Sequence, residues 1–208
     1  MRGCMAAILS GLLTTGCSVF GVRTVHEPAY TVERRLGAVE IRQYGPRVAA
    51  ETLVSGDEIR ARSVGFERLA GYIFGGNRDR RSIAMTAPVA QSRSIGMTAP
   101  VSQSRAGSGE WRVRFFMPAG STIASLPVPN NAAVALVEAP PETVAVLRYS
   151  GTPTRAAVAD ADARLLSGLA GTGLRIDGLP FAWFYDPPWT IPALRRNEAV
   201  VRLASAAR

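Results

Sequence analysis

The sequence predicts an α+β fold: a distorted antiparallel β-barrel flanked by two α-helices and built from two pseudo-symmetric halves. Three observations predict it. Each half of the chain reads as strands, then one amphipathic helix, then strands. Neither half has the means to cover its own apolar faces, so two halves packed together close a small barrel with a helix on each side. The composition of the 208 residues, 47% hydrophobic and 19% charged, is globular, and a chain of this length buries about 70% of its unfolded surface in one domain.

Residues 30–35 (YTVERR) and 39–44 (VEIRQY) alternate apolar and polar positions around Gly37, which predicts a hairpin. Gly45-Pro46 turns the chain into a third strand at 47–54. Ser55 followed by Glu58 reads as a capping box, and Ile59, Phe66, Leu69, Ala70 and Ile73 fall at helical spacing, so a helix is expected over 57–74. Gly75-Gly76 ends it, because glycine accepts the left-handed cap. In the second half, 133–138 and 143–149 read as strands around Pro140-Pro141. Thr152-Pro153 opens a second helix over 154–170, with Val158, Ala161, Leu165 and Leu169 on one face and Gly171 closing it. Strands at 181–186 and 197–203 complete the half.

Between the halves stands a tandem repeat. SIAMTAPVAQSR (82–93) recurs as SIGMTAPVSQSR (94–105). The even period lets equivalent residues share a face of extended chain, and a hairpin of the two copies would give Met85 and Met97 similar environments. Pro88 and Pro100 have no N–H for a ladder and suit edges or bulges.

The chemistry-bearing residues exclude more than they include. All 24 basic residues are arginine, so a lysine Schiff base and a phosphate-loop lysine are absent. The single histidine, His26, excludes multi-histidine zinc sites. The two cysteines, Cys4 and Cys17, leave the body of the chain without a disulfide framework. No GxSxG elbow accompanies the serines, and no pair among the 16 acidic residues has a catalytic context. A hydrolytic alternative would need a carboxylate such as Glu67 or Glu198. The net charge of +8 is spread over single and paired arginines with no nucleic-acid-binding signature, so nucleic acid is not expected as a partner.

At the N-terminus, Arg2 precedes a short apolar stretch (Ala6 to Leu13), then Thr14-Thr15-Gly16-Cys17. The stretch is too short to span a bilayer and has the order of a secretory leader. Small residues before a cysteine resemble a bacterial lipoprotein box, although Thr14 stands where leucine is usual. The reading is a leader at 1–16, a linker at 17–28 and one domain at 29–208. Acylation at Cys17 would make the protein an exported, periplasmic lipoprotein tethered to the membrane.

Phe66, Leu69, Tyr72, Ile73 and Phe74 give the first helix more apolar mass than one packing stripe needs. Trp183, Phe184, Tyr185 and Trp189 cluster near the C-terminus, and Arg60, Arg62 and Arg68 share the first helix. Apolar walls with guanidinium groups at the rim suit a flat hydrophobic ligand bearing carboxylates. The plainer reading makes the aromatics core and the arginines a solvated face.

Several segments, taken in order, resemble the SOUL haem-binding proteins: VEIRQYGPRVAAET (39–52), FERLAGYIFGGN (66–77), IAMTAPV (83–89) with its second copy, FFMP (115–118) and YDPPWTIPALRRNE (185–198). The resemblance runs from about Tyr30 to Leu203. It implies a distorted barrel with two helices, similar to the effector-binding domain of some bacterial transcription regulators. It also implies non-enzymatic binding of haem or another tetrapyrrole in an apolar groove beside the first helix, for carriage or buffering. A second reading is a module for another amphipathic ligand or a protein partner. Some members of the family carry histidine where this chain has Gln43, so that axial ligand is missing. The remaining axial candidates are His26, Met85, Met97, Tyr72 and Tyr185. The residues expected at the groove are Arg62, Phe66, Arg68, Leu69, Ile73, Met97, Tyr185 and Trp189, with Arg195 and Arg196 as second choices for the propionates.

Overall fold

The computed structural model describes residues 27–84, 86–93, 109–187 and 189–204. Nine strands form one antiparallel sheet: β1 (Tyr30–Leu36), β2 (Val39–Tyr44), β3 (Arg47–Ser55), β4 (Val89–Arg93), β5 (Glu110–Phe116), β6 (Val134–Ala139), β7 (Glu142–Tyr149), β8 (Ile176–Phe184) and β9 (Asn197–Leu203). Helix α1 (Glu58–Ile73) follows β3 and α2 (Arg155–Leu169) follows β7. The strand order is β1-β2-β7-β9-β8-β4-β5-β3-β6. Setting β1 aside, this order is a palindrome about the β8–β4 seam, in which β2, β7, β9 and β8 answer to β6, β3, β5 and β4. The expected pseudo-symmetry is thus written in the topology. The first strand of each half crosses to the other, β2 onto β7 and β6 onto β3. That exchange ties the halves together and curls the sheet into a half-barrel.

Strand alternation sorts the side chains into three cores. Tyr44, Phe116, Phe181, Trp183 and Val200 fill the concave face. Val39, Ile41, Val201 and Leu203 meet Ala161, Leu165 and Leu169 of α2. Ala50, Val113, Phe115 and Val134 meet Leu69, Tyr72 and Ile73 of α1. Burying each of these large apolar side chains contributes about 1.5–3 kcal/mol.

Several expectations are corrected. The cap of α1 is Asp57, not Ser55: its carboxylate accepts from the Ile59 and Arg60 amides, both at 3.1 Å. Gly56, at φ +118, turns the chain there, and a carboxylate also suits the positive end of the helix dipole. The buried stripe of α1 is rotated from the one expected. It comprises Ala61, Gly65, Leu69, Tyr72 and Ile73, while Ile59 and Phe66 are exposed. Gly65 explains the rotation, since a Cβ there would stand 2.5 Å from Val113 Cγ2, so the helix lies closest to β5 at that glycine. Strand β5 was not among the expected elements, although Trp111, Val113 and Phe115 alternate with arginines. The first repeat copy supplies β4, which pairs β5 on one edge and β8 on the other along Val89–Gln91. The expected hairpin between the two copies involves residues outside those described. Met85 and the second copy lie outside the described residues.

Candidate ligand-binding groove along the first helix

The sequence places two glycines, Gly71 and Gly76, at the C-terminal end of α1, and the structure opens a groove there. Its volume is about 450 Å³ and it is lined by Val64, Glu67, Arg68, Gly71, Tyr72, Gly76, Asn130 and Asn131. Gly71 lies on the exposed flank of the helix, where a Cβ would meet nothing within 4 Å. A flat ring can therefore approach the helix backbone itself. Hydrogen bonds hold the far wall. Asn130 N donates to Gly76 O at 3.1 Å and Arg78 N to Val128 O at 3.0 Å. Asn77, fully buried, donates to the carbonyls of Tyr72 (3.0 Å) and Arg81 (2.7 Å) and accepts from the Arg81 amide (3.0 Å). The turn after α1 is thus fixed by its own polar groups, and the groove is pre-formed.

Arg68 stands at the groove with its Nη1 on the Leu53 carbonyl at 3.0 Å and 3.4 Å from Thr52 Oγ1. That anchor points a cation along the groove wall, beside the acidic Glu67. Tyr72 is buried beneath the groove, and its hydroxyl donates to Pro127 O at 2.9 Å. Burial raises the Tyr72 pKa, with nearby Arg81 opposing, which works against a tyrosinate ligand.

The other expected residues lie elsewhere. Leu69 and Ile73 point into the core beneath α1. Phe66, 36% exposed, sits edge-on to Phe115 with centroids 5.3 Å apart. Arg62 faces the opposite flank and is fully engaged. Its Nε donates to Gln91 Oε1 at 2.8 Å, its Nη1 to Pro153 O at 3.0 Å and its Nη2 to Glu58 Oε1 at 3.1 Å, and it stacks 4.1 Å over Phe184. Tyr185 is buried, and its hydroxyl donates to Glu198 Oε2 at 2.6 Å. Arg196 binds the same carboxylate through Nε (3.0 Å) and Nη2 (2.8 Å), and Arg42 binds it through Nη1 (3.0 Å). Glu198 is wholly enclosed by these partners, so it faces no groove. Burial and Glu198 together push the Tyr185 phenol well up. For Arg42 and Arg196, burial opposes the charge, but their carboxylate and tyrosine partners outweigh it and hold both firmly protonated. Trp189 is 63% exposed between β8 and β9, and Arg195 Nε donates to Thr190 O at 2.8 Å. Gln43 is exposed on β2, in the half covered by α2. Met97, Cys17 and His26 lie outside the described residues. Among those described, no group of three or more His, Cys, Asp or Glu residues is placed to hold a metal ion. The wall at Asn130-Asn131 was missed, since the PVPNN segment carries no periodic signal.

A family model described as SOUL heme-binding protein matches residues 25–202. The chain belongs to the SOUL heme-binding protein family. No curated protein matches it closely enough to count. The solved structures extend the fold. The C-terminal domain of EcmrR superposes with a TM-score of 0.59 at 9% identity, covering 85% of this chain and 99% of that one. A Listeria innocua protein named a hydrolase gives 0.56 at 12% identity, covering 83% and 94%. An uncharacterised conserved protein, also from Listeria innocua, gives 0.56 at 10%, covering 80% and 92%. At these identities the likeness is one of fold: the curled sheet with two helices is shared, and activity is not argued from it.

The residues present fit a haem-type group by its ring face. Val64 and Gly71 supply an apolar and side-chain-free surface over the buried Tyr72, and Arg68 is a cation in the lining, beside Glu67. The lining residues include no histidine, cysteine or methionine to reach an iron.

Proposed function

We propose that this SOUL-family protein binds a haem-type tetrapyrrole, without turnover, in the groove along α1. The observation that carries the reading is a pre-formed groove of about 450 Å³, floored by the backbone of Gly71, in a chain of this family. The volume lies within the range of ordinary ligand pockets, about 300–1,000 Å³. Val64 and the Gly71 backbone take the ring, and the Arg68 guanidinium pairs one propionate. A hydrogen bond to a charged group contributes roughly 1.5–3 kcal/mol. With ring contacts and one such pair holding it, the ligand exchanges readily, which suits carriage or buffering. When bound, the group would contribute its own metal and ring chemistry, and the protein's part is to hold and shield it.

Titration with haemin and with zinc protoporphyrin tests the reading. A saturable spectral change with either, weakened by Arg68→Ala, supports it, and no saturable change with both ends it. We also infer that the protein is exported and tethered through an acylated Cys17. Palmitate labelling that disappears in Cys17→Ser supports the tether, and labelling that persists refutes it.

A further inference from the structure

We propose that the cleft where the two halves meet is a second binding site, built for a protonated amine carried on an apolar body. The cleft, about 260 Å³, lies on the opposite flank of α1 from the groove. The first turn of α1, the N-terminal half of α2 and strands β4, β5 and β8 enclose it. Trp111, Val158, Leu179 and Phe181 make its walls apolar. Strand β8 is irregular there. Its register against β9 breaks between Asp177 and Phe181, with Gly178 at φ +87, and Leu179 is left exposed beside the opening. Such breaks in a ladder re-aim side chains next to sites.

The charges decide the ligand. Glu58 is neutralised by Arg62, whose remaining donors go to Gln91 and Pro153, and Gln91 Nε2 donates back to Glu58 O at 2.8 Å. Arg155, exposed at the rim, has its Nη2 4.0 Å from Asp57 Oδ1. Asp162 lines the same cleft and forms no ion pair among the described residues. Its Oδ1 is buried without a hydrogen-bond partner, as is the hydroxyl of neighbouring Tyr149. A buried acceptor left unmatched costs stability, and here it belongs to a carboxylate whose residue lines a cleft with apolar walls. One net negative charge therefore remains among the groups around the cleft. An N–H⁺ donor would pair with the Asp162 carboxylate, whereas an anion would be repelled by it. Glu58 on α1 and Tyr149 on β7 act on Asp162 directly, Arg62 is engaged by Glu58, and Arg155 of the same helix lines the same cleft. Burial and then Glu58 push its carboxyl up to about 6, as expected of an acid lacking its partner.

The test uses the full chain and follows the Trp111 indole N–H signal by NMR, with phenethylamine as the probe. Its neutral and anionic counterparts, 2-phenylethanol and phenylacetate, serve as comparisons. The expected result is a saturable shift with phenethylamine at pH 7.5 and at least tenfold weaker binding of both comparison compounds. Affinity should fall as the pH is lowered to 5. Asp162→Asn, folded by its melting curve, should lose at least tenfold and also lose the pH dependence. The proposal is overturned if phenethylamine gives no saturable shift. It is equally overturned if 2-phenylethanol binds as well, or if Asp162→Asn binds the amine like the wild type.

Discussion

Three helical glycines allow stability and ligand binding to be moved in opposite directions. Gly71 lines the groove, and a Cβ there meets nothing within 4 Å. Glycine inside a helix costs roughly 0.5–1 kcal/mol relative to alanine. Because Gly71 lies in the last turn of α1, Gly71→Ala should gain about 0.5 kcal/mol, or roughly 1–2 °C in Tm for a chain of this size. Gly65→Ala should do the reverse, since its Cβ would stand 2.5 Å from Val113 Cγ2 and 2.7 Å from Val113 Cβ. Overpacking of that kind costs about 1–3 kcal/mol, or roughly 2–12 °C. On α2, Gly168→Ala meets only Val39 Cγ2, at 2.9 Å, and should lose less than Gly65→Ala. Gly71→Leu is the decisive variant. Its side chain extends into the groove, so the melt should stay within about 0.5 kcal/mol of wild type while haemin affinity falls at least tenfold. Thermal melts by circular dichroism and absorbance titration with haemin read both quantities. A Gly71→Leu protein with wild-type melting and wild-type haemin affinity would refute the location. A Gly71→Ala loss above about 1 kcal/mol would refute the open flank.

Three further outcomes are expected. Glu198→Gln leaves the buried guanidinium groups of Arg42 and Arg196 without their shared counter-charge and should cost about 3 kcal/mol in urea unfolding. Arg35→Ala, at a pair whose arginine is 68% exposed, should cost under about 1 kcal/mol, and equal losses would contradict the buried network. Asp162 has a folded pKa raised from 3.8 to about 6, so the folded state holds its proton more tightly and stability falls as pH rises through that window. Allowing for solvent screening, Asp162→Asn should gain about 1 kcal/mol at pH 8 and nothing at pH 3.5, and a gain independent of pH would contradict the assignment. Deleting 94–105 leaves residues 106–110 between Arg93 and its partner Trp111, a length natural for a hairpin. The shorter closure should stabilise the fold by about 1 kcal/mol, and an unfolded product would show that the first copy alone cannot supply β4.

What the sequence made legible follows its periodicity. Both helices, the β1–β2 hairpin and β9 were read within a residue or two, because alternation and helical spacing are local signals. The face that α1 buries was not, because the close approach of Gly65 to Val113 is a tertiary fact that no spacing records. The same holds for Arg62. On a helical wheel it is an exposed cation, but Gln91, Pro153 and Phe184, all distant in sequence, enclose it. Of the expected groove residues among those described, Arg68 alone lines the groove. Tyr185 was read as an aromatic wall, yet its hydroxyl completes the enclosure of Glu198, a partner on the adjacent strand. Of the glycines that open the groove, Gly76 was visible as part of a helix stop, and Gly71 carried no signal of its own. Their second role needed the 128–131 segment folded back against them.

Haemin added to the isotopically labelled protein locates the ligand directly, because its iron broadens nearby amide signals. The account predicts broadening centred on Val64, Gly71, Tyr72 and Asn131, with the Gln43 amide unaffected. Broadening centred on Trp111 and Phe181, or spread evenly over the surface, would contradict it.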